Sequence, residues 1–110
     1  MKFSQNRAAF NTALLNIADP FFAVTLDDAI NNKLLINYKD TLPRLFLVDA
    51  EINNSKLTLY FVTNEPTRKP VTETLKLTEY DIKQSNSAPN KFYFEPKSNP
   101  HDYFVIIFKC

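Results

Sequence analysis

Glycine is missing from this chain: none occurs in 110 residues, where average usage of roughly 7% would place about eight. That absence removes every motif built on backbone that only glycine adopts cheaply: the phosphate-cradling Walker loop, the dinucleotide G-x-G-x-x-G turn, the G-x-S-x-G nucleophile elbow, the EF-hand loop and the KH clamp. The twelve asparagines are expected to take the left-handed turn positions instead. Cysteine occurs once, at Cys110, so no internal disulfide forms, in keeping with a reducing compartment. Charge of one sign is also scarce, because the formal net charge is +1 with a pI near 7.8. No global field therefore draws the chain to phosphate backbones or anionic lipid. No apolar run reaches the roughly 18 residues of a membrane span; the strongest is 103–108. The start, Met1-Lys2-Phe3-Ser4-Gln5-Asn6-Arg7, offers no uninterrupted apolar stretch for a signal peptide, and a cytoplasmic setting is the expectation. The asparagine and lysine excess suggests AT-rich coding, and the chain looks bacterial or phage-like.

What is present is the composition of a packed globule, 45% hydrophobic and 14% aromatic with 23% charged. At 12.7 kDa the surface scaling predicts ~6,200 Å² exposed out of ~18,400 Å² unfolded. One core fits and a second does not, so a single domain over residues 1–110 is expected.

Apolar spacing divides the chain into a helical first third and a β-rich remainder. Phe10, Ala13, Leu14 and Ile17 recur three and four residues apart and predict a helix over 4–18 with Ser4 as N-cap, ended by Asp19-Pro20. A second helix is predicted after Thr25, capped by its hydroxyl with Asp28 three residues on, and burying Leu26, Ile30 and Leu34. Phe21, Phe22 and Val24 then fall between the helices as plugs of the core. From Pro43 onward the pattern alternates. Strands are predicted over 44–51 and 56–63, joined by a turn at Asn53-Asn54, then over 71–78, 91–95 and 103–108. The last strand is apolar on both faces and should lie in the middle of the sheet, with Asp102 and Lys109 at its ends. Proline-bearing loops over 64–70, 79–90 and 96–101 connect these strands. The expected fold class is α+β: two N-terminal helices packed on one face of an antiparallel sheet of about five strands.

Candidate chemistry is thin. His101, Asp102 and Cys110 are the nucleophilic trio to test, but the final strand separates Cys110 from the other two by more than about 20 Å. One histidine and one cysteine are too few for a structural zinc site, and no metal or cofactor is expected. A metal-dependent nucleic-acid-processing enzyme would draw on Asp49, Glu51 and Glu95 with Lys97, Asp81 being a further candidate ligand, yet Pro96 breaks the alternation that would aim Glu95 and Lys97 together. Asp27-Asp28 reads as helix-dipole stabilisation. Lys91-Phe92-Tyr93-Phe94 interleaves a cation with aromatics as single-strand binders do, but a near-neutral, glycine-free chain argues against nucleic acid. What is left is recognition of another protein. Tyr60, Tyr80, Tyr93 and Tyr103 would supply rigid contact area if they share a face. The expectation is a non-enzymatic protein-binding module, monomeric or homodimeric, of the inhibitor or immunity type that occludes its partner. Its contact residues are predicted as Tyr60, Arg68, Lys69, Tyr93, Lys97 and His101.

Overall fold

A computed structural model describes residues 1–39 and 44–108. Its class is α+β, with two helices, α1 (Arg7–Leu15) and α2 (Pro20–Asn32), and one antiparallel sheet. The sheet has seven strands rather than about five: β1 (Leu35–Tyr38), β2 (Leu45–Asn53), β3 (Lys56–Thr63), β4 (Pro70–Lys76), β5 (Tyr80–Gln84), β6 (Lys91–Pro96) and β7 (Phe104–Phe108), in the order β4-β3-β2-β1-β7-β6-β5. The two additional strands are β1, in a stretch with no element assigned to it, and β5, inside the loop expected over 79–90. Both are short, and β5 reads Tyr-Asp-Ile-Lys-Gln with no buried residue of its own. Neighbouring strands, not intrinsic propensity, hold such segments in place.

Local chemistry explains each turn. Asn53 faces Lys56 across the β2–β3 hairpin, and Asn54 sits at φ 59°, the left-handed turn conformation expected of an asparagine. Among the described residues the other three left-handed positions go to Lys33, Lys39 and Arg68, so asparagine stands in for glycine at one of these four. At Lys33 the cause is the helix end: its amide reaches Ile30 O at 3.2 Å and the Leu34 amide reaches Ala29 O at 2.9 Å. This paired closure demands a left-handed residue, whichever side chain stands there. Leu34, expected inside α2, therefore lies just beyond it.

Helix α2 starts six residues before the expected point. Asp19 Oδ1 accepts from the Phe21 amide at 2.7 Å and Pro20 occupies the first turn, so Asp19-Pro20 opens this helix as well as following α1. Thr25 lies inside α2 and returns its hydroxyl to Phe21 O at 2.8 Å. At the head of α1 the cap is Asn6, whose Oδ1 accepts from the Ala9 amide at 3.1 Å. Ser4, the expected cap, instead donates its hydroxyl to Asp49 Oδ2 at 2.6 Å.

The sheet is coiled. Flat, seven strands would hold β4 and β5 about 29 Å apart, at about 4.8 Å per gap. These edge strands are joined by the three residues Leu77–Glu79, which span at most about 15 Å. Within that link the Leu77 amide bonds Ser55 O and the Lys97 amide bonds Glu79 O, both at 2.9 Å, so the chain steps from one edge of the sheet to the other. Tyr38 on the central strand β1 accordingly feels both edges: burial raises its phenol pKa, and Glu73 of β4 and Tyr80 of β5 add to the rise. The concave side holds one contiguous apolar core. Phe22 of α2 fills its mouth, with ring centroids 5.5 Å from Phe92, 5.2 Å from Phe94 and 6.1 Å from Phe108. Strand β7 lies between β1 and β6, as its two apolar faces require, while Lys109 lies outside the described residues. A bulge at Val48 shifts β2 by one residue, which is why Leu45 and Leu47 before it and Ala50 and Ile52 after it all reach the core. Beyond the point where β1 leaves β2, residues 1–3 take its place: Phe3 N bonds Ala50 O and Ile52 N bonds Met1 O, each at 2.9 Å.

Candidate functional site

The convex face of the sheet carries most of the side chains singled out by sequence, but it engages them with one another. Tyr60 and Tyr93 do share this face, on β3 and β6, four strand spacings or about 19 Å apart along the sheet. The Tyr60 hydroxyl donates to Glu51 Oε1 at 2.8 Å, which raises the Tyr60 pKa, and Lys2 Nζ lies 5.2 Å above its ring. Tyr93 packs edge-on to Tyr103 at 5.7 Å with Lys91 Nζ 5.3 Å over it. Arg68 is folded over Phe46 at 5.0 Å. Lys69 is held by its backbone, its amide reaching Thr63 Oγ1 at 2.9 Å. Lys97 and His101 are exposed in the β6–β7 connection, next to the Leu77–Glu79 link and so at the opposite end of β4 from Arg68 and Lys69. Tyr80 turns inward onto Phe94 and Phe104 and does not join the other tyrosines.

The acidic residues are likewise dispersed. Asp49 accepts from the Ser4 amide at 3.1 Å as well as from its hydroxyl, and so anchors the N-terminal turn. Glu51 holds Tyr60 and stands 3.9 Å from the Met1 ammonium. Glu95 lies three strands away and pairs with Lys83 at 3.0 Å, which raises the lysine pKa. Asp49, Glu51, Glu95 and Lys97 are thus not brought together, and among the described residues no three His, Cys, Asp or Glu side chains gather to hold a metal ion. His101 and Asp102 occupy an exposed 3-10 turn, while Cys110 lies outside the described residues.

The helix pair presents a different surface. With α2 starting at Pro20, Phe22, Leu26 and Ile30 face the core, and Phe21 and Val24 are carried outward. Phe21 is 63% exposed, Val24 67% and Leu15 of α1 50%; together they make up half of the six exposed large hydrophobic residues found among those described. Between the helices lies a cleft of about 130 Å³ lined by Asn11, Leu15, Ala23, Val24 and Asp27. It is far smaller than the roughly 300 Å³ at which small-molecule sites begin. It is close to the ~150 Å³ of a cavity that takes up benzene, the size of one apolar side chain.

The polar side chains of this cleft are Asn11 and Asp27. Asp27 takes Arg7 Nε and Nη2, both at 2.8 Å, and Asn11 Nδ2 at 2.8 Å, tying α1 to α2. The Arg7 hydrogen bond, opposed by partial burial and helped by Asn11, holds the Asp27 carboxyl below its ordinary range and keeps it ionised. The bond to Asp27 also fixes the Asn11 amide, since a flipped amide would set oxygen against carboxylate. Asn11 Oδ1 is thereby left buried with no donor among the described residues. A buried acceptor in that state costs about 1–3 kcal/mol until a donor arrives.

Sequence reasoning missed Phe21 and Val24 as surface residues because it began α2 too late, and it left Leu15 off the apolar face of α1 without singling it out. The signal was present: Asp followed by Pro is a helix start as readily as a helix stop, and beginning there rotates Phe21 and Val24 out. No family model, no curated protein and no solved structure matches this chain.

Proposed function

We propose that the chain is a non-enzymatic protein-binding module that docks another protein against the α1–α2 cleft, lined by Leu15 and Val24, and the exposed Phe21 one turn before Val24. The observation that carries this reading is the exposure of those three side chains on one short helix pair that holds a side-chain-sized cleft. Apolar surface of this kind on a small protein marks a contact site. Fully burying one such side chain is worth about 1.5–3 kcal/mol, and these are already partly covered. These side chains therefore offset only part of an association cost of about 4–15 kcal/mol, and a knob entering the cleft must supply the rest. A compact body with a fixed patch acts by covering what it docks on, the inhibitor or immunity mode. The test is capture from a lysate of the source cell with the wild-type chain and with Val24→Asp. A stoichiometric partner retained by the first and lost by the second supports the reading; a partner that binds both equally overturns it.

A further inference from the structure

The chemistry of the cleft narrows what enters it. Residues 3–32, which include both helices, hold one arginine against three aspartates and no lysine, while the remainder of the chain has a surplus of positive charge. The arginine, Arg7, is bound to Asp27 at 2.8 Å and also attracts Asp28, so one cation faces three carboxylates and the helix pair keeps a surplus of negative charge. Asp28 lies on α2 one turn past Val24 and is exposed, its Oδ1 accepting from Asn32 Nδ2 at 3.0 Å. Asn11 Oδ1 is a buried acceptor with no donor among the described residues.

Resting on the docking reading above, we infer that the occupant is a cationic apolar polypeptide segment: one aliphatic or aromatic side chain seated between Leu15 and Val24, with a neighbouring lysine or arginine against Asp28. The sign of the charge discriminates among occupants. A second copy docking face to face would bring one patch with a surplus of negative charge against another, a like-charge approach. An anionic lipid surface or a phosphate backbone meets the same repulsion. Only a cationic partner gains from both the exposed apolar side chains and the surplus of negative charge.

The test is selection of a random-peptide phage library on the immobilised full chain. The enriched peptides are then synthesised and titrated against wild type, Val24→Asp and Asp28→Lys. Both substitutions are at exposed positions, and unchanged melting midpoints confirm that the fold survives. The expected result is peptides with an apolar residue beside Lys or Arg, weakened more than about tenfold by Val24→Asp and about fivefold by Asp28→Lys, with binding that declines as salt is raised. Peptides lost with Val24→Asp but neutral or acidic, and indifferent to Asp28→Lys, overturn the cationic partner while leaving the docking site in place. Binders that ignore Val24→Asp, or a homodimer in sedimentation that this substitution dissociates, overturn the inference from different sides: the former removes the site itself, the latter makes a second copy the occupant.

Discussion

On the convex face of the sheet, aromatic rings have neighbours of their own: Lys2 covers Tyr60, Arg68 covers Phe46, and Tyr93 has Tyr103 at its edge and Lys91 above it. On the helix pair, Phe21 and Val24 have no such cover among the described residues. The sheet face is richer in aromatics, yet the two most exposed large hydrophobic side chains are on the helix pair. Residue type is therefore a poor guide to a contact surface. A tyrosine on a sheet has cross-strand partners within about 5.5 Å on either side, and a cation on the next strand readily lies over it. A helix offers its outward residues only its own turns, so an apolar side chain there stays bare unless another molecule covers it.

The sharpest way to break this contrast is to compare adjacent residues of α2. Phe22→Ala empties the mouth of the core and should cost about 3–5 kcal/mol in denaturant unfolding, whereas Phe21→Ala should stay within about 0.5 kcal/mol. Equal losses would mean that Phe21 is packed after all. A smaller effect separates the two surfaces. Tyr93→Ala removes the Tyr103 contact and should cost about 1 kcal/mol, while Val24→Ala, which replaces a β-branched residue with a better helix former, should be neutral or slightly stabilising. A marked loss from Val24→Ala would show that the free protein already uses that side chain.

The smallest expected effect concerns acid. Because Arg7 and Asn11 hold the Asp27 carboxyl below its ordinary 3.8, the stability it confers is complete above that pH and is lost as pH falls through the lower folded value. Melting curves at stepped pH should show the wild type losing midpoint across that acid range, and Asp27→Asn losing less. A parallel decline in the two proteins would show that the ion pair between the helices contributes no pH dependence.

Much of the β region was legible in residue order. Alternation along 56–63 sets Leu57, Leu59 and Phe61 on one side and Tyr60 on the other, and the structure buries the first three; the doubly apolar run around Ile106 required a place inside the sheet and has one. Period-two patterning reports which face a side chain takes, and burial enforces that choice. Short β1 and β5 escaped notice because four or five residues make too brief a pattern, and their pairing is supplied by β2, β6 and β7. The candidate site escaped notice for a related reason. A shift of helix start from Leu26 to Pro20 changes which residues the chain turns outward, and no local feature of Phe21, Phe22 and Val24 says which of them is core.

Sequence alone determined what this protein is built without: glycine-dependent loops, an internal disulfide, a long apolar run and a strong net charge. It also determined the α+β class and the faces of the longer strands, because these depend on local periodicity and on the summed apolar content. Tertiary structure decided the coiling of the sheet through Leu77–Glu79, the dispersal of Asp49, Glu51 and Glu95, and the exposure of Leu15 beside Val24. Those features depend on which distant segments meet, and a contact between residues far apart in the chain leaves no periodic trace in either segment.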